Sequence, residues 1–348
     1  MRSGDLSIGR TVSGDGVLGP PGSGGQNLEA LTTPEGATDL QRRLARQSLL
    51  QPPFSGKLDH QTATAVRAFQ DRRGLRVDGV CGPQTWTALV EAGYFPGDRL
   101  LYLRAPMMQG DDVAELQRQL GTLGFDAGRI DGIFGVLTAR ALIEFQRNVA
   151  VAADGICGQA TLAELHRLRS KRSEGSLVGS VRERQLLRQG PRTLFGRRIA
   201  IGHQGGLGAA VQALRHALSA VGAEVTPLLH PDGTILAKDA NAFGADVYVG
   251  IHLDPSLAVC RVAYYRGYRY ESAGGHHLAE LCRERIGGLL PPPNTVSTIG
   301  MAIPELRHSK MPAVVCELAP PSLVVERAGE LGAALVAALS DWVSATWE

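Results

Sequence analysis

The stretch Met311-Pro312-Ala313-Val314-Val315-Cys316-Glu317-Leu318 decides how the C-terminal half of this chain is interpreted. It is an apolar run of strand type that carries one acidic residue, Glu317, near its end. Burying a carboxylate costs several kcal/mol unless the group has a partner or a chemical role. Glu317 is therefore a candidate functional residue.

Two further runs of the same kind each end in a histidine. They are Arg198-Ile199-Ala200-Ile201-Gly202-His203 and Asp246-Val247-Tyr248-Val249-Gly250-Ile251-His252. In open α/β sheets, functional sites form at the carboxyl ends of the strands. Two imidazoles and a carboxylate at such ends predict a metal site with a general base. The alternative, that each is an ordinary core or loop residue, stays open at this point.

Composition limits the classes of partner. The chain has 348 residues, enough for two or three domains, and a net charge of +2 that argues against a nucleic-acid partner. Since no apolar run reaches about 18 residues, we expect no membrane span. The N-terminus lacks the apolar region of a signal peptide, and the five cysteines show no metal-type spacing. These features predict a cytoplasmic protein with reduced thiols.

An internal repeat organises the N-terminal half. Every matching pair is offset by 76 positions: Leu40-Gln41-x-x-Leu44 with Leu116-Gln117-x-x-Leu120, Phe69-Gln70 with Phe145-Gln146, Asp78-Gly79 with Asp154-Gly155, and Thr85 with Thr161. The helical spacing of the apolar residues predicts three short helices in each unit. The Asp-Gly turns separate the second helix from the third.

This unit resembles the peptidoglycan-binding domain that is attached to many cell-wall hydrolases. The resemblance covers residues 37–92 and 109–168 and rests on the ordered motifs given above. It implies that the partner is peptidoglycan or one of its precursors. The alternative is that the two three-helix units are scaffolds that bind nothing.

Two segments are predicted to lack a core of their own. Residues 1–36 are rich in Gly, Ser and Pro and predict a disordered arm. Residues 169–197 contain many arginines and predict a basic linker.

From Arg198 onward, strands and helices alternate, which predicts an α/β domain over residues 198–348. We expect strands at 198–201, 224–229, 246–252, 260–265 and 313–318, and helices at 208–221, 237–243, 272–286 and 322–342. Pro227 weakens the second strand or places it at an edge. The predicted fold class is multi-domain: two small all-α three-helix repeats followed by a phosphorylase/hydrolase-like α/β domain.

The α/β domain resembles the family 3 N-acetylmuramoyl-L-alanine amidases, which are zinc hydrolases. Gly202-His203-Gln204-Gly205-Gly206 is similar to the family's first histidine motif, and Gly250-Ile251-His252-Leu253-Asp254 to its second. Pro312 to Glu317 is similar to the motif with the catalytic glutamate. The resemblance implies that His203 and His252 bind Zn²⁺ and that Glu317 is the base that activates water for cleavage of the muramic acid–L-alanine amide.

The chain departs from the family pattern at the third zinc ligand. No Asp or Glu lies between Ile199 and Ala223, where the family places a glutamate. His216 could substitute but comes several residues late, and two imidazoles alone should bind zinc weakly. The whole arrangement also resembles actinobacterial CwlM-type proteins, which implies an alternative: a non-catalytic regulator of peptidoglycan precursor synthesis that contacts a cytoplasmic protein.

Overall fold

A computed structural model describes residues 31, 33–169, 183, 185, 187–254, 259–268, 270–290 and 295–347. Most of the arm predicted at 1–36, and much of the linker predicted at 169–197, lie outside these residues. The first helix begins at Pro34, inside the predicted arm. Within the described ranges, no helix is both long and apolar enough to cross a membrane.

Each sequence repeat folds as three helices, as predicted. The first unit contains α1 (Pro34–Arg46), α2 (His60–Arg73) and α3 (Pro83–Glu91), and the second contains α4 (Asp111–Thr122), α5 (Val136–Asn148) and α6 (Gln159–Arg169). The apolar repeat positions form the two cores: Leu40, Phe69 and Leu89 in the first unit, and Leu116, Phe145 and Leu165 in the second.

The repeated glutamines explain why the residues of the motif recur together. The Gln146 amide nitrogen donates to Asp154 Oδ1 (3.0 Å), to the carbonyl of Ile156 (3.0 Å) and to Thr161 Oγ1 (3.2 Å). Its oxygen accepts from the Gly155 N–H at 2.9 Å. Gln70 makes the equivalent bonds in the first unit. A buried amide therefore joins the second helix to the Asp-Gly turn and to the third helix.

The remainder of the described chain forms a six-stranded sheet with flanking helices. The strands are β1 (Arg198–His203), β2 (Glu224–Leu229), β3 (Val247–Leu253), β4 (Cys260–Tyr265), β5 (Val296–Met301) and β6 (Ala313–Leu318). Their spatial order is β2-β1-β3-β6-β4-β5, and every neighbouring pair is parallel except β4 and β6. Pro227 lies in β2, which is an edge strand. This confirms the second of the two alternatives stated for it, a strand at the edge of the sheet.

Helices cover both faces of this sheet. They are α7 (Gly208–Ala220), α8 (Gly233–Phe243), α9 (Ala273–Gly287), α10 (Pro304–His308), α11 (Pro321–Glu326) and α12 (Ala328–Ser344). Leu214 of α7, Leu278 of α9 and Leu335 of α12 pack on one face. Leu236 of α8 and Leu306 of α10 pack on the other face, together with Ile130 from the second repeat.

Buried ion pairs hold the helical units against each other and against the sheet. Arg73 of the first unit donates two hydrogen bonds of 2.7 Å to Asp111 of the second. Arg307 of α10 donates to Glu91 of α3 at 2.8 Å. The N–H of Ala302 also donates to the carbonyl of Gly74 at 2.7 Å. The three parts of the molecule therefore share one junction.

Two elements between residues 287 and 312 were not predicted from the sequence. β5 is an edge strand whose apolar pattern is interrupted by Ser297 and Thr298, and α10 has 5 residues, too few for a helical period to show. Helix α8 begins before its predicted start, because the Asp232 side chain caps it by accepting from the Thr234 N–H.

Part of the segment predicted as a linker packs on the α/β domain. Glu183 accepts hydrogen bonds from the hydroxyls of Tyr270 (2.8 Å) and Ser272 (2.5 Å). Leu187 packs against the core of the face that α9 covers. At these residues, the chain is anchored to the sheet domain.

Candidate functional site

The ends of three neighbouring strands meet at one edge of the sheet. β1, β3 and β6 are adjacent and parallel, and they carry His203, His252 and Glu317, the residues singled out from the sequence. His252 is the register partner of Glu317, whereas His203 pairs with Ile251. The three side chains thus start from the same edge.

Strand alternation separates the two histidines. His252 lies on the sheet face of Tyr248, four residues earlier on β3, and Glu317 shares that face through its register with His252. His203 follows Ile199 and Ile201, which pack on the opposite face. Burial, and then the charge of His252, lower the pKa of His203. His203 is therefore a neutral imidazole at neutral pH.

His252 has a carboxylate partner that the sequence analysis did not identify. Its Nε2 lies 3.1 Å from Glu305 Oε1, and the same oxygen accepts a hydrogen bond of 2.9 Å from the Tyr248 hydroxyl. Glu305 is 3% exposed. Burial and the Glu305 carboxylate raise the pKa of Tyr248 well above its ordinary value, so that this phenol stays a donor. Glu305, His252 and Tyr248 form a closed polar cluster.

Glu317 is held by an arginine from the next strand. Arg261 Nε donates to Glu317 Oε2 at 2.8 Å, and an Nη of the same guanidinium lies 2.5 Å from that oxygen. Arg261 is the register partner of Glu317 across the antiparallel β4–β6 pair. Sheet register, and not a single side-chain conformation, therefore places these two groups together.

A buried ring nitrogen at these strand ends lacks a hydrogen-bond partner. His203 is 9% exposed, and its Nδ1 has no hydrogen-bond partner within the part of the chain that the structure describes. An uncharged ring nitrogen in such a place can accept a hydrogen bond from a ligand or bind a metal.

The first repeat reaches the rim of the site. Arg76, just after α2, forms an ion pair with Asp254, two residues after His252. The N–H of Asp254 donates to the carbonyl of Leu318. The strand ends that carry His252 and Glu317 are thus in contact with the helical half of the molecule.

Comparison with known proteins supports both halves of the architecture. A family model described as a putative peptidoglycan binding domain matches residues 33–89 and again residues 109–165. N-acetylmuramoyl-L-alanine amidase CwlM of Mycobacterium tuberculosis is 38% identical over 260 residues, which is 66% of this chain and 63% of CwlM. N-acetylmuramoyl-L-alanine amidase CwlL of Bacillus licheniformis is 34% identical over 37% of this chain and 42% of CwlL.

The chain is amidase-like, with two units of the peptidoglycan-binding type. It spans less than two thirds of the length of either of these relatives. Among solved structures, the amidase Ami1 of Mycobacterium smegmatis aligns with a TM-score of 0.38 and 15% identity, over 44% of this chain and 100% of Ami1.

The donor set of the amidase-like domain does not fit a zinc site. Zinc in hydrolases is held by three protein ligands and a water molecule. Among the residues that the structure describes, no group of three or more His, Cys, Asp or Glu side chains could hold a metal ion. Glu305 Oε1 is shared by Tyr248 and His252, and Glu317 is paired with Arg261. The candidate metal ligands that remain are the imidazoles of His203 and His252.

Little in the sequence identified Glu305 and Arg261 as the side-chain partners of His252 and Glu317. Glu305 lies in a very short helix, and Arg261 reaches Glu317 only because β4 pairs antiparallel with β6. His216, considered as a substitute ligand, is exposed on α7. One signal was available: Glu305 follows Pro304, and Pro is favoured at the first position of a helix.

Proposed function

We propose that this protein binds peptidoglycan or a peptidoglycan precursor and that its amidase-like domain recognises this material without hydrolysing it. The ion pair between Arg261 and Glu317 carries the proposal. A general base must accept a proton from the attacking water within hydrogen-bond distance. Glu317 Oε2 instead accepts from Arg261 at 2.8 Å.

The environment of His252 supports the same conclusion. Its Nε2 faces Glu305 Oε1, and the hydroxyl of Tyr248, four residues earlier on the same strand, donates to that oxygen. A metal at this nitrogen would take the place of the contact between His252 and the buried Glu305 carboxylate. Because buried polar clusters are costly to open, the polar residues at this edge serve better to orient a bound ligand than to activate water.

The two helical units support the part of the proposal that concerns binding. Both match the putative peptidoglycan binding domain, and both are packed against the sheet domain. A finer form follows from the CwlM-type resemblance: the protein acts in the cytoplasm on a protein of precursor synthesis. That form requires a direct protein partner, which pull-down with the full chain would identify.

A combined binding and cleavage assay tests the proposal. Full-length protein is incubated with insoluble peptidoglycan, sedimented, and the supernatant is analysed for released stem peptides by mass spectrometry. We expect the protein to sediment with peptidoglycan, not with cellulose, and to release no peptide. Peptide release that Glu317→Gln abolishes would overturn the non-hydrolytic assignment, and failure to sediment would overturn binding to the polymer.

A zinc amidase is the second candidate, and the partnerless Nδ1 of buried His203 is the observation that favours it. Zinc content of the purified full-length protein, measured after dialysis against a weak chelator, separates the two candidates. We expect far less than one zinc per chain. A stoichiometric zinc that is lost in His252→Ala would favour the enzyme.

A further inference from the structure

Exposed apolar side chains collect on one side of the second repeat. They belong to the segment that joins the two repeats, residues 100–107, and to two turns of the second repeat. Six side chains, each 37–70% exposed, form what we call the outer face: Leu100, Tyr102, Leu103, Met107, Val136 and Ile156. Single exposed apolar residues are ordinary, whereas a contiguous group of them marks an interaction site.

Backbone pairing brings the first part of the outer face together. Leu101 and Cys157 exchange two N–H···O bonds of 3.3 and 2.8 Å, and both of their side chains are buried. Because side chains alternate along an extended chain, the neighbouring Leu100, Tyr102 and Ile156 point outward. Tyr102 and Ile156 are therefore cross-strand neighbours on the exposed side.

A second backbone contact places Met107 beside the start of α5. The Phe134 N–H donates to the carbonyl of Met108 at 2.8 Å, and both of these side chains are buried. The next pair along is Met107 with Gly135, the N-cap residue of α5. Val136, the first residue of the helix, is 70% exposed. Since the segment between the repeats joins both contacts, the outer face runs along one side of the second unit.

The outer face belongs to the second unit and not to the repeat in general. At the offset of 76 positions, Leu100-Leu101-Tyr102-Leu103 corresponds to Gly24-Gly25-Gln26-Asn27. The first unit folds as three helices with this polar sequence before it. The three-helix fold therefore does not require the apolar segment, and contact with another molecule accounts for it.

The charge of the segment favours a protein over a membrane as that molecule. Residues 100–107 contain one charged residue, Arg104, and no Lys, Asp or Glu. Anionic lipid surfaces are recognised by clusters of about four to eight basic residues, which this segment lacks. Protein interfaces are instead enriched in Tyr, Met and Arg and depleted of Lys, Asp and Glu.

Area and symmetry favour a second copy of this chain. From the exposed fractions, the outer face presents on the order of 500 Å², toward the upper end of the largest patch on a typical monomer. Two such faces in contact would bury about 1,000 Å², at which a specific interface becomes possible. A two-fold axis brings the same surface of both copies together, so a face with a single charge is compatible with itself. Pro106 has no N–H, which disfavours strand addition and leaves the contact to the side chains.

We propose that two copies of this protein associate through their outer faces, about a two-fold axis, into a dimer held by apolar side chains. The dimer goes beyond the proposed function, because it requires neither peptidoglycan nor an inert site at the strand ends. It would present four repeats in place of two, so that a polymer could be bound at several points at once.

Sedimentation velocity of the full-length protein tests the proposal. The protein is measured from about 1 to about 200 μM, because the mass of a reversible dimer depends on concentration. Reductant is present throughout, so that disulfides between free cysteines such as Cys81 do not contribute. We expect the weight-average mass to rise toward that of two chains with a Kd on the order of 10 μM, as suits a small interface.

Two variants locate the interface. Val136→Glu puts a carboxylate into the outer face at the first turn of α5, where the helix dipole favours it, and Leu103→Ser removes an exposed apolar side chain. We expect each variant to raise the Kd of the dimer about tenfold or more. Val80→Glu is the matched control, because Val80 is 64% exposed on the first repeat, and it should dimerise like the wild type.

Three results would overturn the proposal: the mass of one chain at every concentration, dimerisation that both variants leave unchanged, or binding of a monomeric protein to phosphatidylcholine–phosphatidylglycerol vesicles through the same residues. Sedimentation with insoluble peptidoglycan is measured on the same variants. A monomer that sediments with peptidoglycan would contradict the dimer alone, and a dimer that does not sediment would contradict polymer binding alone.

Discussion

Glu305 connects His252, at the strand-end site, to Tyr248, in the core of the sheet domain, through one carboxylate oxygen. Its Oε1 accepts from Tyr248 and contacts His252, and its side chain lies against Gly233 of α8, where an added Cβ would come within 2.5 Å of it. Glycine at 233 is therefore needed for close approach. The contact with Glu305 therefore helps to hold the His252 side chain in place.

Tyr248→Phe should destabilise the fold by about 1–2 kcal/mol, because it removes the hydroxyl that donates to a buried carboxylate. Urea unfolding followed by circular dichroism measures the change. Tyr102→Phe, at a side chain that is 39% exposed, is the control and should leave the midpoint unchanged. Equal midpoints for Tyr248→Phe and wild type would mean that the hydroxyl contributes nothing.

His308 should make the stability of the protein depend on pH. Burial and then the charge of Arg307 lower its pKa from 6.5 to about 4. Below pH 6.5 the unfolded chain therefore takes up a proton that the folded protein does not, so the free energy of unfolding falls as the pH falls. The expected loss between pH 7 and pH 5 is about 2 kcal/mol from this group.

Comparison of wild type with His308→Leu by urea unfolding at pH 7, 6 and 5 isolates this contribution. The variant should lose less stability than the wild type over that range, since buried carboxyls such as Asp131 are common to both proteins. Parallel pH profiles for the two proteins would show that His308 is free to ionise in the folded state.

At the scale of single elements, the glutamines of the repeat hold α5 and α6 together. Gln146→Leu would leave the buried Gly155 N–H without its acceptor and would remove one of the donors to the Ile156 carbonyl. We expect a loss of about 2–4 kcal/mol in the stability of the second unit. The matched control is Gln159→Leu at an exposed position.

Hydrogen exchange of α5 and α6, followed by mass spectrometry over a urea series, reports this loss. Since Gln70 makes the same bonds in the first unit, Gln70→Leu should reproduce the effect there. A change in Gln146→Leu no larger than that in Gln159→Leu would assign the recurring glutamine a role other than packing.

The sequence predicted those elements whose pattern is local. The helices of both repeats follow from periodicity and from the constant offset, and β1, β3 and β6 follow from their apolar runs. β5 and α10 were missed because an edge strand with Ser297 and Thr298 and a very short helix leave no periodic signal. Glu305 and Arg261 could not be paired with His252 and Glu317, which lie 53 and 56 positions away.

At the scale of the whole molecule, Arg307 links the sheet domain to both helical units. It donates to Glu91 at 2.8 Å and to the Asp131 carbonyl at 3.1 Å. Arg307→Leu would leave the buried Glu91 carboxylate without its counter-charge, which typically costs about 3–5 kcal/mol. The junction should open locally before the separate cores unfold.

Hydrogen exchange followed by mass spectrometry checks this expectation. Amides of α3 and α10 should exchange faster in Arg307→Leu, while those of α9 and α12 should not change. Arg140→Leu is the control, because its side chain is 76% exposed and pairs only within α5 in the described chain. Unchanged protection of α3 would show that apolar contacts alone keep the junction closed.

Because of Ile130, the repeats and the sheet domain are not independent domains joined by a linker. It belongs to the second repeat, yet it packs in the core of the sheet domain beside Tyr265, Met301 and Leu306. A gene fusion that gave the sheet domain a different N-terminal partner would leave that apolar face bare. Either half can therefore be exchanged only with a replacement that brings an apolar side chain to the same place in the core.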